Sequence, residues 1–227
     1  HPCPLPPLPL SLWQRLPGAQ EEAALLKAAR KAYRLPEHAG IVAAPGTQIL
    51  IEMLPRLAGV GPVAVLRPTY AEHKLAWRKA GHAVVEIGSL DALGDAATLV
   101  VVNPNNPDGR IVPREHLAGL AGQCRARGGL LVVDEAFCDF TPEASLIPDL
   151  PPGALVLRSF GKSYGLAGLR VGFAVGDMET IARLRAGLGP WAVSGPALTV
   201  AATALSAEGW LDAASISTQA AAARLDA

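Results

Sequence analysis

The chain has 227 residues, half of them apolar, and its Lys and Arg balance its Asp and Glu to zero formal net charge. That is enough material for a real core, and there is no charge excess to recruit nucleic acid or an anionic membrane. Cys3, Cys124 and Cys138 are far apart and form no CxxC, which argues against a disulfide framework or thiolate zinc site and for a reducing, cytoplasmic compartment.

Residues 1–18 open without Met, are rich in proline, and read as an extended arm rather than a packed element, which gives the expectation that the chain is a fragment. No basic stretch precedes an apolar one there, and no run of about 18 apolar residues suggests a membrane span. Glu21 to Tyr33 carries a helical pattern that Pro36 stops. Ile41 to Ala44 is a short apolar run meeting Pro45-Gly46-Thr47, after which Gln48 to Leu57 reads as a helix. Strands are predicted at Val63–Leu66, Ala83–Ile87, Thr98–Asn103, Leu130–Asp134, Ala154–Leu157 and Val171–Val175. Helices are predicted at Tyr70–Ala80, Pro113–Arg127 and Met178–Ala186, and the alanine-rich tail from Pro196 to Leu225 reads as helical with a break near Gly209.

Short apolar strands alternating with helices predict an α/β domain with a largely parallel sheet, whose ligands bind beyond the carboxyl ends of the strands. The polar groups at those ends are Gly46-Thr47, Tyr70, Asn103 to Asn106, Asp134, and Ser159 to Lys162. They contain no His and carboxylate cluster at metal-ligand spacing, no G-x-S-x-G elbow and no Walker loop. Cys138 reads as a small buried hydrophobe rather than a nucleophile. What remains is a lysine on a loop of small residues, an arginine, and an aspartate. Pyridoxal phosphate needs those types: an amine for its aldehyde, a carboxylate for its ring nitrogen, and donors with positive charge for its phosphate. No partner is legible for His38, His73, His82 or His116.

Three segments carry a resemblance. NPNNPDG (103–109), VVDEAF (132–137) and SFGKSYGLAGLR (159–170) resemble the motifs of the fold-type I pyridoxal-phosphate enzymes of the aspartate aminotransferase superfamily, in the family's order, with Asn106, Asp134 and Lys162 evenly spaced. The resemblance implies a large domain with a mostly parallel, seven-stranded sheet flanked by helices. It also implies pyridoxal 5'-phosphate as cofactor, and a homodimer. By the same resemblance Lys162 would bond the cofactor and carry protons at the substrate's Cα. Ser159 and Arg170 would hold the phosphate, with Gly46 and Thr47 adding backbone donors at a helix start. Asp134 would face the ring nitrogen, Asn106 would donate to the phenolic oxygen, and Tyr70 would stack on the ring.

The finer likeness is to the branch of histidinol-phosphate aminotransferases and threonine-phosphate decarboxylases. APGTQILIEMLPRL (44–57), RPTYAEHKLAW (67–77), DEAFCDF (134–140), GPWAVSGPAL (189–198) and the proline-rich start before WQRLP (13–17) resemble the cobalamin-pathway members most. That likeness implies a phosphorylated amino acid or amine as substrate, and decarboxylation of L-threonine O-3-phosphate. The alternatives are transamination of the histidinol-phosphate type, or an inactive fragment or sensory or interaction module that only binds the cofactor. Two residues depart from the family pattern. Phe137 stands where the aminotransferases have a tyrosine, and Leu16 stands in the family's R-Y-P segment, which weakens a cross-subunit phosphate contact there. The expected organisation is an arm (1–18), a cofactor-binding large domain (19–195) and a helical segment (196–227) leading to a small domain missing from this chain, along with its carboxylate-binding arginine.

Overall fold

The computed structural model describes residues 2–59 and 61–224. Its strands are β1 (Gly40–Ala44), β2 (Val63–Leu66), β3 (Val84–Ile87), β4 (Thr98–Val102), β5 (Leu131–Asp134), β6 (Ala154–Ser159) and β7 (Gly172–Gly176). They form one seven-stranded sheet in the order β1-β7-β6-β5-β4-β2-β3. Every pairing is parallel except the two made by β7, which runs antiparallel to both β1 and β6.

The apolar runs are continuous because both faces of the sheet are covered. Side chains alternate between two cores. On one face Val133, Val156 and Phe173 pack under the helices Ala19–Ala32, Arg114–Ala126 and Gly195–Leu205. On the other, Val132, Leu155, Leu157 and Ala174 pack under Thr47–Met53, Ala71–Lys79 and Met178–Leu188. The result is a three-layer α/β/α arrangement around a sheet that is largely parallel, as the sequence pattern predicts. Edge strand β3 is protected by charge, with Glu86 pairing Lys74 at 2.9 Å.

Local departures from the predicted elements have physical causes. The helix expected over Gln48–Leu57 changes to a 3-10 turn at Leu54–Arg56, where Pro55 has no N–H to continue the ladder. Strand β6 runs two residues past Leu157, because Arg158 is buried among carboxylates instead of turning to water. The segment before Gly18 is extended but packed. Cys3 is buried and its N–H donates to the Tyr164 carbonyl at 2.9 Å, and Leu12 is buried on a short helix, Ser11–Gln14. Proline denies such a segment internal hydrogen bonds, not contact with its neighbours. The tail breaks at Gly209 (φ 73°) between helices Gly195–Leu205 and Trp210–Ala223, and Leu225 lies outside the described residues. No helix among the described residues is long and apolar enough to cross a membrane.

Candidate active site

Register assembles the site. Val102 pairs Asp134, and Ser159 pairs Gly172, which also pairs Ala44. The carboxyl ends of β1, β4, β5 and β6 and the amino end of β7 therefore share one rim. Because side chains alternate, Asp134 and Ser159 extend the face that carries Val132, Leu155 and Leu157. A cavity of about 200 Å3 opens there, lined by Gly46, Thr47, Gln48, Tyr70, Val102, Asn106, Asp134, Ala136, Phe137, Ser159, Lys162 and Arg170 among others. All eight residues singled out from the sequence line it.

A larger cleft of about 530 Å3 lies beside β1, between Pro17–Glu22 and Arg185–Val193. Its ionisable groups, Arg185 and Glu22, pair with each other at 2.6 Å. It gathers no lysine, arginine and carboxylate around an open centre, so the smaller cavity is the chemical one.

Each side chain reaches the cavity for a local reason. The loop after β4 spends two asparagines on its own shape. Asn103 accepts from the Val112 N–H at 2.8 Å and donates to its carbonyl at 3.1 Å. Asn105 donates to the Pro68 carbonyl at 2.8 Å and to Asp108 at 2.7 Å, and accepts from the Thr69 hydroxyl at 2.8 Å. With the loop pinned on both sides, Asn106 is left exposed at the cavity. Lys162 projects from the single helical turn Phe160–Ser163, with its Nζ 5.5 Å from the centre of the Phe137 ring. Tyr70 is 40% exposed, and its hydroxyl donates to Gln48 at 3.4 Å.

Arg170 holds a left-handed backbone (φ 51°) at the end of the turn Ala167–Leu169, an unfavourable conformation for a non-glycine residue that fits a functional position. Its guanidinium lies against Gly46, where a Cβ would sit 2.7 Å from Nη2 and the φ of +86° also favours glycine. The Gly46 N–H is not aimed at the cavity, since it donates to the Ala44 carbonyl at 2.7 Å. Gly46 thus contributes an open approach for Arg170 rather than the donor expected of it. The unbonded N–H groups are those of the helix that starts at Thr47.

Asp134 is 3% exposed, and one of its oxygens accepts the Ala136 N–H at 3.0 Å. The other lies 2.8 Å from Nε2 of His73, which is 1% exposed. Sequence reading left His73 without a partner. The available signal was its position in the first turn of a helix starting beside Tyr70, which aims it at the same rim. Cys138 is buried and its thiol is pushed up to about 12, first by burial and then by the Glu135 carboxylate, so it stays an inert thiol.

These groups fit pyridoxal phosphate by chemistry. An amine, a buried carboxylate, a guanidinium with helix-start N–H groups, and an aromatic ring surround a space of suitable size. Among the described residues no cluster of three His, Cys, Asp or Glu could hold a metal ion.

Comparison with known proteins agrees with this reading. The model of the family "Aminotransferase class I and II" matches residues 14–227. A threonine-phosphate decarboxylase of Pseudomonas aeruginosa is 45% identical over 208 residues, which cover 90% of this chain and 61% of that protein. A histidinol-phosphate aminotransferase of Aeromonas hydrophila is 32% identical over 74% of this chain and 52% of its own length. The chain thus spans about three fifths of the first relative and half of the second. Among solved structures, a histidinol-phosphate aminotransferase from Clostridium acetobutylicum superposes with a TM-score of 0.82 at 22% identity, covering 91% of this chain and 66% of that one, a likeness of fold.

Proposed function

The chain belongs to the aminotransferase class I and II family, and from that premise we propose that its strand-end cavity binds pyridoxal 5'-phosphate and that the whole protein decarboxylates L-threonine O-3-phosphate. The observation that carries the reading is the convergence of Lys162, Asp134 and Arg170, from three separate chain segments, on one cavity. The choice of reaction is supported by the 45% identity to a threonine-phosphate decarboxylase, against 32% to a histidinol-phosphate aminotransferase.

When bound, the cofactor supplies an aldehyde for an amine and a ring that takes up an electron pair from the substrate's Cα. The residues of the chain do the rest. Asp134 accepts a hydrogen bond from the ring nitrogen and keeps that nitrogen protonated, while His73 holds the carboxylate in place. Arg170, the Ser159 hydroxyl and the Thr47 N–H bind the phosphate, a charged fork joined to dipoles. Asn106 would donate to the ring oxygen through its amide, and Phe137, which also lines the cavity, has no hydroxyl with which to assist it. Tyr70 covers the ring face. Lys162, mobile on an exposed side chain, would carry the proton as an ammonium and give it to Cα after CO2 departs, and release from the cofactor would then free (R)-1-aminopropan-2-yl phosphate. A homodimer and a cytoplasmic location belong to the same proposal. The first rests on the family resemblance, and the second on three buried, unpaired thiols.

The test is an absorbance titration of the chain with pyridoxal 5'-phosphate, followed by addition of L-threonine O-3-phosphate with CO2 detection. The reading expects a bound-cofactor band that is lost in Lys162→Ala, and CO2 release from the full-length protein. Amino transfer to a keto acid without CO2 would replace the decarboxylase with an aminotransferase. Absence of a band would overturn the cofactor assignment.

A further inference from the structure

Behind the cavity, on the opposite face of the sheet, lies a buried ionic cluster that the proposed chemistry does not use. Glu135 follows Asp134 and therefore turns to the other face. Its Oε2 accepts from Arg158 Nη1 at 3.0 Å and from the Ser145 hydroxyl at 2.7 Å, and its Oε1 accepts the Leu146 N–H at 2.7 Å. Arg158 precedes Ser159 on β6. It also bonds Asp139 through Nη2, and its guanidinium lies 4.5 Å over the Tyr33 ring. The second oxygen of Asp139 accepts from the Ser163 hydroxyl at 2.7 Å, and Ser163 follows Lys162. Arg158, Glu135, Asp139, Ser145 and Ser163 are all buried.

Stability alone is a weak reason to keep such a cluster. Taking three charges out of water is costly, and apolar replacements of buried ion pairs are often neutral or stabilising. Burial pushes the Glu135 carboxyl above its usual range. Burial also opposes the Arg158 charge, but Asp139 and Glu135 outweigh it and hold the guanidinium protonated. What the cluster provides is geometry. A planar guanidinium fixes the separation of the two carboxylates it bonds. One of those carboxylates is rooted at the strand end that carries Asp134. The other is tied to the turn that carries Lys162. That turn, Phe160–Ser163, is too short to hold itself. Its start is anchored by the Phe160 N–H on the Val171 carbonyl at 3.2 Å, and its end by the bond from Ser163 to Asp139.

We propose that Arg158, Glu135, Asp139 and Ser163 form a positioning brace through the sheet, which sets Lys162 relative to Asp134 and so governs how fast the site captures pyridoxal 5'-phosphate. The inference rests on the cofactor reading above. None of the four residues lines the cavity; they act through Lys162 and Asp134.

Two serines of equal burial separate positioning from stability. Ser163→Ala cuts the tie to the lysine turn. Ser145→Ala removes the same hydroxyl from the far end of the cluster, at Glu135. Asp139→Asn, which keeps the side chain's shape, is a second way to loosen the turn. Each is mixed with pyridoxal 5'-phosphate in a stopped-flow instrument and the growth of the bound-cofactor band is timed. The unfolding midpoint of the cofactor-free chain is measured alongside. The brace predicts capture about tenfold slower in Ser163→Ala and Asp139→Asn, since small misplacements of a reacting group are expensive in rate. Ser145→Ala is expected to stay within about twofold of the parent. Capture at the parent rate in Ser163→Ala and Asp139→Asn, or equal slowing in all three variants, overturns the brace and leaves the cofactor reading standing. Absence of a band in the unsubstituted chain overturns both.

Discussion

Nε2 of His73 lies 2.8 Å from Oδ2 of Asp134, and both side chains are almost wholly buried. The other ring nitrogen, Nδ1, has no hydrogen-bond partner among the described residues. A carboxylate only accepts, so the hydrogen on Nε2 is the one that donates. That places an oriented donor behind the acid proposed to face the cofactor ring. His73→Phe keeps the volume and removes the donor. It should weaken cofactor binding by about tenfold, the scale of one hydrogen bond to a charged group. Equilibrium titration at a fixed pH measures this, and unchanged affinity would mean that Asp134 needs no orienting partner.

Lys162 is exposed and has no ion-pair partner among the described residues. Lys162→Ala should therefore change the stability of the cofactor-free chain by less than about 0.5 kcal/mol, while abolishing the bound-cofactor band. Thermal unfolding and absorbance spectra of the same sample check both halves. A large loss of stability would assign the lysine a packing role instead.

Gly172 faces the backbone of the phosphate-side turn, and a Cβ there would lie 2.6 Å from the Thr47 nitrogen and 2.8 Å from the Gly46 carbonyl carbon. Neither backbone atom can step aside as a flexible side chain would. Gly172→Ala should thus displace the Thr47 N–H. The expected outcome is an affinity for pyridoxal 5'-phosphate reduced about tenfold or more, the cost scale of overpacking a tight contact, with little change for phosphate-free pyridoxal. Parallel titrations with the two compounds decide it.

Glu135 gives stability a defined pH dependence. Its folded carboxyl binds protons more tightly than in the unfolded chain, chiefly because of burial. Its contribution is therefore fully present below the ordinary glutamate value and is lost as pH rises through the raised one. Glu135→Gln, a neutral stand-in for the protonated carboxyl, removes that proton linkage. The stability of the parent relative to the variant should be highest at the acid end of that window and fall as pH rises. Denaturant unfolding across mildly acidic to neutral pH compares the two, and a parent that gains on the variant with rising pH would refute the assigned direction.

Much of the fold was legible along the chain because its signals are local. Runs such as Thr98–Asn103 and Leu130–Asp134 read as strands covered on both faces, and their alternation with helices points to a largely parallel sheet. Residue order also carried the candidate site. Polar groups just beyond apolar strands must collect at one rim, which is how Asp134, Ser159 and Lys162 were found. What a linear reading could not supply was pairing across the sheet. His73 meets Asp134, and Arg158 meets Glu135 and Asp139, only after register and side-chain alternation have set which face each residue takes. A histidine in a helix and an arginine in a strand look solvated when read in order, since the cost of burying them is offset by partners far away in sequence. The inward turn of the Gly46 N–H is of the same kind, decided by the bend between Ala44 and the helix it enters. Residue types and their order determined which chemistry this chain could carry. The tertiary structure decided which charges stand at the cavity and which are paired out of reach behind the sheet.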